Sequence, residues 1–189
     1  MSRDRDVAAF AERADGYEEG WLGRLHHEIA DRTADLALAQ VPAPHRVLDV
    51  GCGTGYLLRR LAARAPDAAE LAGIDPAAEM VQAAQRATAD PRARFLAGTA
   101  EHLPEPDGAF DLVVSTTSFD HWADQQAGLR ECARVMAPGA VSSSSTSSRR
   151  CTCRPSSAAA GGRHAPAGGP PACSPGPASS RRNGVCCMR

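Results

Sequence analysis

Short apolar runs alternate with longer amphipathic stretches between residues 46 and 139. The runs "RVLDV", "ELAGID", "ARFLAG" and "AFDLVVST" are too short for ordinary helices, and the first of them ends directly at a glycine-rich turn. Such runs are typical of buried strands. We therefore predict four strands, at residues 46–50, 70–75, 93–98 and 109–116.

The stretches between these runs carry apolar residues at three- and four-residue spacing, which predicts helices at 54–65, 76–88 and 123–139. A further helical segment covers residues 7–39, as one helix or as two, because three glycines interrupt it. Strands that alternate with helices indicate βαβ units. The predicted fold is therefore α/β, a Rossmann-like, doubly wound parallel sheet.

A ligand site is expected beyond the C-terminal ends of these strands, as in other open α/β sheets. After the first strand, Gly51, Gly53 and Gly55 form a tight turn in which backbone N–H groups and a helix N-terminus can approach a ligand. A tight turn without a ligand is the alternative. The turn lacks the Lys-Ser/Thr pair of a P-loop. Asp49, just before it, favours an amino-bearing or cationic ligand over a pyrophosphate.

Polar residues also follow the other three strands. Asp75, after the second strand, is placed to accept hydrogen bonds from a ribose diol, to cap the next helix, or to do both. The segment "GTAEHLP", with Glu101, predicts either a contact with an adenine edge or a solvated turn. The segment "STTSFDHW" brings hydroxyl groups, aromatic rings and His121 to the end of the fourth strand.

These motifs together resemble one family. "VLDVGCGTG", "GIDPAAEM", "AEHLP" and "FDLVVSTTSFDHW", followed by "LRECARVMAPG", are similar in content and order to class I S-adenosylmethionine-dependent methyltransferases of the methyltransferase type 11 group. The resemblance covers residues 10–139. It implies S-adenosyl-L-methionine as the cofactor and a small molecule as the methyl acceptor.

The resemblance also implies roles for matching residues. The Gly51–Gly55 turn would wrap the methionine part of the cofactor, with Asp49 near its amino group. Asp75 would hold the ribose hydroxyls, and Thr116 would lie beside the sulfonium. The implied cofactor-binding residues are Asp49, Gly51, Cys52, Gly53, Gly55, Asp75, Pro76, Met80, Thr99, Ala100, Glu101 and Thr116. Met80 would pack on the adenine, although core packing also explains it, and Thr99 stands where the family usually has Asp.

His121 is the candidate catalytic base, because it follows the fourth strand at the mouth of the expected site and His is a common general base. The alternatives are a pocket-lining residue and a helix cap. Tyr17 and Trp21 are expected to form a lid, with core packing as the alternative for Trp21. His26 and His27 are adjacent and point to different faces of a helix, so we predict no metal site.

Composition divides the chain at about residue 140. Residues 141–189 carry seven Arg and no acids, and the preceding residues carry 14 Arg against 22 acids, which gives charges of +7 and −8. The N-terminus lacks the features of a secretory signal, and no run is long enough to span a membrane. We therefore expect a cytoplasmic protein with no membrane partner. The basic segment lacks Lys and aromatic residues, so we expect no nucleic-acid partner.

The segment after Val141 contains no Leu, Ile or Phe and is expected to be disordered. The predicted organisation is a helical lid at 1–44, a cofactor-binding domain at 45–140 and a low-complexity tail at 141–189. Only four strands of the family's sheet are then expected, which would leave the edge of the fourth strand open. One codon choice for "VSSSSTSS", read two bases later, encodes Leu-Val-Val-Val-Asp-Leu-Phe, so we interpret the serine run as a reading-frame shift near Ala140.

Three functions remain open at this stage. The first is a methyltransferase, and the second is a truncated protein that binds the cofactor or a partner without catalysis. The third, less favoured, is an NAD(P)-dependent oxidoreductase, against which Asp49 and the glycine spacing argue.

Overall fold

The computed structural model of the chain describes the backbone of residues 3–145, 150–153 and 185–188, and the side chains of residues 6–140. The helices are α1 (Arg3–Arg13), α2 (Gly20–Gln40), α3 (Tyr56–Arg64), α4 (Ala78–Ala87) and α5 (Gln125–Val135). The strands are β1 (Arg46–Val50), β2 (Glu70–Asp75), β3 (Ala93–Ala97), β4 (Phe110–Thr116), β5 (Met136–Ser145), β6 (Arg150–Cys153) and β7 (Val185–Met188). Short 3₁₀ turns occur at Ala14–Gly16 and Phe119–His121.

The strands form one sheet in the order β3-β2-β1-β4-β5-β6-β7. The first five strands along the chain are parallel to one another, with Leu48 of β1 in register with Ala72 on one side and Val113 on the other. β6 is antiparallel to β5. The parallel α/β sheet predicted from the sequence is confirmed, and β1, β2 and β4 end side by side at Val50, Asp75 and Thr116.

Both faces of the sheet are covered. Val47, Leu71 and Leu112 point into a core with α2 and α3, whereas Leu48 and Val113 point into a core with α5 on the other face. Burial on both faces explains why these strands appear as continuous apolar runs in the sequence. The predicted segment 7–39 is two helices, and α1 packs against α4 in a separate small cluster.

The prediction of only four strands is wrong. The last helix ends at Val135, not at Gly139, and β5 pairs with β4 from Leu112↔Val141 to Thr116↔Ser145. The ladder uses backbone N–H and C=O groups, which serine supplies as well as valine does, so an apolar run is not required. A register shift in β4 near Phe110 accommodates the start of β5.

The edge of β4 is consequently paired and not open. Residues 141–145, 150–153 and 185–188 of the predicted disordered tail are strand residues. Residues 146–149, 154–184 and 189 lie outside the described residues. Within the described part of the chain, no helix is long and apolar enough to cross a membrane.

Candidate functional site

The glycine turn after β1 is held in place by the neighbouring strand. Gly51 and Cys52 donate backbone N–H groups to the carbonyl oxygen of Ile74, at 2.7 and 3.1 Å. Gly51 has a φ angle of +76°, and a Cβ atom there would lie 2.3 Å from Cβ and Oγ of Ser118. Only glycine therefore fits at this position, where the turn meets the loop after β4.

A cavity of about 410 Å³ lies beyond the C-terminal ends of β1, β2 and β4. The predicted site residues in its wall are Gly51, Gly53, Asp75, Pro76, Met80, Thr99, Ala100, Glu101, Thr116 and His121. The sequence did not predict the α1 residues Asp6, Val7 and Phe10, which complete the wall. The cavity therefore lies between the sheet edge and the N-terminal helix.

Asp75 joins the second strand to the glycine turn. Its Oδ2 accepts the backbone N–H of Gly53, and its Oδ1 accepts that of Ala77, both at 2.9 Å. The residue is buried, and burial raises the pKa of its carboxyl group, although the two N–H donors act in the opposite direction. α4 begins at Ala78, so Asp75 caps the turn just before that helix and also faces the cavity.

Glu101 links the segment after β3 to the start of α5. Its Oε1 accepts the backbone N–H of Asp124 at 2.9 Å. Burial would raise the pKa of Glu101, but hydrogen bonds from backbone N–H groups and from the Thr99 hydroxyl outweigh it, and the pKa is lowered. Thr99 forms an isolated antiparallel bridge with His102. The predicted solvated turn is therefore an ordered wall of the cavity.

Ser118 organises the loop after β4. Its Oγ donates to the carbonyl oxygen of Val50 at 2.9 Å, lies 2.7 Å from Oγ of Ser115, and accepts the indole N–H of Trp122 at 3.2 Å. Thr117 beside it has a φ angle of +58°, a conformation that a non-glycine residue adopts only when its surroundings impose it. Sequence reasoning missed Ser118 because its partners lie on a different strand and in a later turn.

His121 lies at the opening of the cavity next to α1. Its ring meets Phe10 edge to face, with centroids 5.1 Å apart, and its Nδ1 lies 3.7 Å from Oδ2 of Asp6. The predicted alternative of a helix cap is wrong, because the Asp124 side chain caps α5 by accepting the N–H of Ala127.

A smaller cavity of about 60 Å³ adjoins the first and shares Tyr17, Gly51 and Thr116 with it. Asp49 lines it, is 2% exposed, and has an Oδ1 atom without a hydrogen-bond partner. Burial, reinforced by the negative charge of Asp75, raises the pKa of Asp49 to about 8. A buried carboxyl group with an unpaired oxygen and a raised pKa would be stabilised in its ionised form by a cationic partner.

The geometry agrees with the comparisons to known proteins. A family model described as a methyltransferase domain matches residues 47–139. The demethylmenaquinone methyltransferase of Thermus thermophilus is 46% identical over 138 residues, which cover 69% of this chain and 60% of the relative. The malonyl-[acyl-carrier protein] O-methyltransferase of Geobacter sulfurreducens is 41% identical over 114 residues, 60% of this chain and 42% of the relative.

A similar structure extends the match to the fold. A methyltransferase solved in complex with the Haloferax volcanii Trm112 methyltransferase activator has a TM-score of 0.63 at 30% identity, over 74% of this chain and 59% of that one. Residues 47–139 therefore match a methyltransferase domain, and the chain is similar to these methyltransferases in sequence and fold. It spans no more than 60% of the length of these three proteins.

The segment between α1 and α2 covers both cavities of the methyltransferase domain. Tyr17 lines each of them, as a lid residue would, but Trp21 is 70% exposed and forms neither lid nor core, so both predictions for it are wrong. The carboxylate of Glu18 accepts hydrogen bonds from Thr54 Oγ1 and Arg59, both at 2.6 Å. Burial alone would raise the pKa of Glu18, but the hydrogen bonds from Thr54 and Arg59 outweigh it, and the pKa is lowered.

The remaining predicted residues of the methyltransferase domain occupy its interior. Cys52 is buried and lines the smaller cavity, and burial raises the pKa of its thiol. Gly55 closes the turn against Phe95 and Ala84 and lines neither cavity. Met80 is buried with α1 and also reaches the larger cavity. No metal-binding group of side chains occurs among the described residues.

Proposed function

We propose that the chain binds S-adenosyl-L-methionine and transfers a methyl group to a small-molecule acceptor. The observation that carries the proposal is the pair of adjoining cavities at the glycine turn. The larger contains a fixed carboxylate at the end of β2, and the smaller contains an unpartnered buried carboxyl group at the end of β1. A nucleoside with a diol and an amino-acid group with an ammonium have the matching chemistry.

The residues around the larger cavity are suited to hold the nucleoside part. Asp75 uses one lone pair on each oxygen for a backbone N–H, which leaves acceptor capacity for two hydroxyl groups. Met80 and Ala100 supply apolar wall, and Glu101 is held nearby by the N–H of Asp124. The Thr99 side chain stands where an acid is usual in the family, so we assign the polar contact with the base to the Glu101 segment.

The glycine turn and Asp49 are suited to hold the amino-acid part. Gly51 and Gly53 present backbone without Cβ atoms to both cavities. The buried carboxyl group of Asp49 favours a cationic group at this turn, because a positive charge would stabilise its ionised form whereas a pyrophosphate would oppose that ionisation. This argument favours the methyl donor over a nicotinamide dinucleotide.

The bound cofactor supplies an activated methyl group, and the protein's contribution is to position the acceptor and manage its proton. Val7 and Phe10 of α1 give the opening of the cavity an apolar side, which suits an organic acceptor with an apolar part. His121 is our candidate base, with Nδ1 directed to Asp6 and its other ring nitrogen available for an acceptor hydroxyl. The relatives' names supply two acceptors to try first, demethylmenaquinone and malonyl-acyl carrier protein.

Calorimetric titration of the full chain with S-adenosylmethionine tests the binding step, and titration with NAD⁺ tests the alternative. We expect heat with the first ligand only, and at least tenfold weaker binding in Asp75→Asn. Asp67→Asn, at an exposed position, is the matched control and should bind like the unmodified chain. Binding of NAD⁺, or of neither ligand, would contradict the proposal. Transfer of a labelled methyl group to a 1,4-naphthohydroquinone or to malonyl-acyl carrier protein then separates an enzyme from a cofactor-binding protein.

A further inference from the structure

The segment between α1 and α2, residues 14–19, forms a strap over the two cavities, and Tyr17 of this strap lines both. Its backbone hydrogen bonds run along the chain. Tyr17 and Glu19 donate to carbonyl oxygens three residues back, and Gly23 near the start of α2 donates to Glu19. Among the described residues, none of these bonds joins the strap to the sheet or to α3, so side chains fix its position over the cavities.

Glu18 joins the strap to the opposite wall of the smaller cavity. Its Oε1 accepts hydrogen bonds from Oγ1 of Thr54, in the glycine turn, and from Arg59 of α3, both at 2.6 Å. Its Oε2 lies 3.2 Å from Nε2 of His27 on α2. Because Glu18, His27 and Thr54 all line the smaller cavity, one carboxylate connects the strap, α2 and the turn around it.

The groups that bind the Glu18 carboxylate are themselves held in place. Arg59 also donates to the carbonyl oxygen of Thr54 at 2.6 Å, and its guanidinium lies over the ring of Tyr56. The ring of His27 stacks on the same tyrosine, with centroids 3.7 Å apart and an interplanar angle of 7°. Hydrogen bonds to a charged group are stronger than neutral ones, and fixed partners lose little freedom when they form them. The connection at Glu18 is therefore a firm one.

The other contacts of the strap are of a different kind. Asp15 forms an ion pair with Arg86 at 2.8 Å, but its side chain is 92% exposed, and such pairs contribute little to stability. Tyr17 stacks on His26 of α2 and meets Phe10 of α1 edge to face. These rings belong to the helices on either side of the strap. Glu18 is thus the residue that bonds the strap to the glycine turn.

We propose that Glu18 is a positioning residue that latches the strap over the cavities, and that release of this latch sets the rates at which ligand enters and leaves. The proposal rests on the proposed function and adds to it a control of ligand exchange. Gly20 joins the strap to α2 with a φ angle of +67° and no atom within 4 Å of a Cβ position, which provides a joint for the movement. Because ligand enters only the unlatched fraction, a firm latch slows association and dissociation alike.

The first test needs no ligand. Hydrogen exchange of backbone amides is measured by NMR for the full chain, for Glu18→Ala and for the matched control Asp15→Ala, which removes the exposed ion pair from the same strap. We expect the Tyr17 and Glu19 amides to exchange about tenfold faster in Glu18→Ala, the effect of losing a hydrogen bond to a charged group, and about twofold faster or less in Asp15→Ala. Unchanged exchange in Glu18→Ala, or equally faster exchange throughout the sheet, would overturn the latch.

The second test measures ligand exchange. Stopped-flow binding of S-adenosylhomocysteine is followed by tryptophan fluorescence, since Trp122 lines the larger cavity. We expect the association and dissociation rates of Glu18→Ala to rise together, each by about three- to tenfold, and those of Asp15→Ala to match the unmodified chain.

Two results of the second test would overturn the proposal. Faster dissociation with unchanged association would show that Glu18 only stabilises the bound state, and unchanged rates would show that the strap does not control ligand exchange. If the unmodified chain does not bind S-adenosylhomocysteine, the proposed function fails and the control of exchange fails with it, whereas the first test still decides whether Glu18 fastens the strap.

Discussion

Replacement of Asp49 by asparagine should stabilise the protein at neutral and alkaline pH. The carboxyl group is 2% exposed, and its surroundings raise its pKa from 3.8 to about 8. In the unfolded chain the group loses its proton near pH 4, whereas the folded chain keeps it up to about pH 8. The folded state therefore binds more protons in this interval, and its free energy of unfolding falls as the pH rises.

The size of the effect follows from the pKa difference. At 1.36 kcal/mol for each pKa unit, the rise from 3.8 to about 8 corresponds to about 6 kcal/mol. That is comparable to the whole stability of a small domain. Asparagine cannot ionise, so the stability difference between Asp49→Asn and the unmodified chain should be near zero at pH 4, grow through pH 6 and level off above pH 8.

Urea unfolding followed by circular dichroism between pH 4 and pH 8.5 measures this difference. Asp67→Asn, at an exposed position, is the control, and its difference from the unmodified chain should stay flat over the same interval. The same Asp49→Asn protein should bind S-adenosylhomocysteine more weakly, because the charge that balances the ammonium is gone. A pH-independent stability difference, or a less stable variant at pH 8, would refute the reasoning.

Three further changes test individual contacts. Gly51→Ala should lower the free energy of unfolding by at least about 2 kcal/mol, because its Cβ would lie 2.3 Å from Ser118 in a left-handed backbone conformation. Gly53→Ala, with no atom within 4 Å of its Cβ, should cost about half as much in the same urea experiment, and equal losses would contradict the steric argument. Arg92→Met should lower the free energy of unfolding by about 2 kcal/mol, because the guanidinium donates to four carbonyl oxygens at the end of α3 and in the loop after it. A loss below about 0.5 kcal/mol in urea unfolding would show that water replaces those hydrogen bonds. Ser143→Val should raise the free energy of unfolding by up to about 1 kcal/mol, and the melting temperature with it, because position 143 lies in register with β4 and valine favours strands. A lower melting temperature would contradict the pairing.

The sequence predicted the first half of the sheet closely because local and tertiary signals agree there. β1 and β2 have the predicted ends, since each is a short apolar run closed by a glycine turn or by Asp75. For the same reason, the predicted residues that directly follow those strands line the two cavities. In an open parallel sheet, the end of a strand fixes the position of the next residues.

The sequence failed where tertiary context outweighs local preference. Pro138 and Gly139 signal the end of a helix, yet they belong to β5, which begins at Met136 because α5 is already complete at Val135. The contribution of α1 to the larger cavity was also missed, since periodicity places residues on a helix face but does not say which element that face covers. His26 gave no signal beyond its neighbour His27, although it lines the smaller cavity.

The described walls of both cavities are built from residues between Asp6 and Ala127, and β5, β6 and β7 contribute none of them. Among the described residues, those that line the cavities and those that complete the sheet after β4 are therefore different. Among the described residues, a change in β5 reaches the cavities indirectly, through β4, α2 and α5, against which β5 packs. Selection acting on recognition would tolerate drift there, and the same separation makes this region a suitable point at which to graft a new segment while leaving the cavity walls intact.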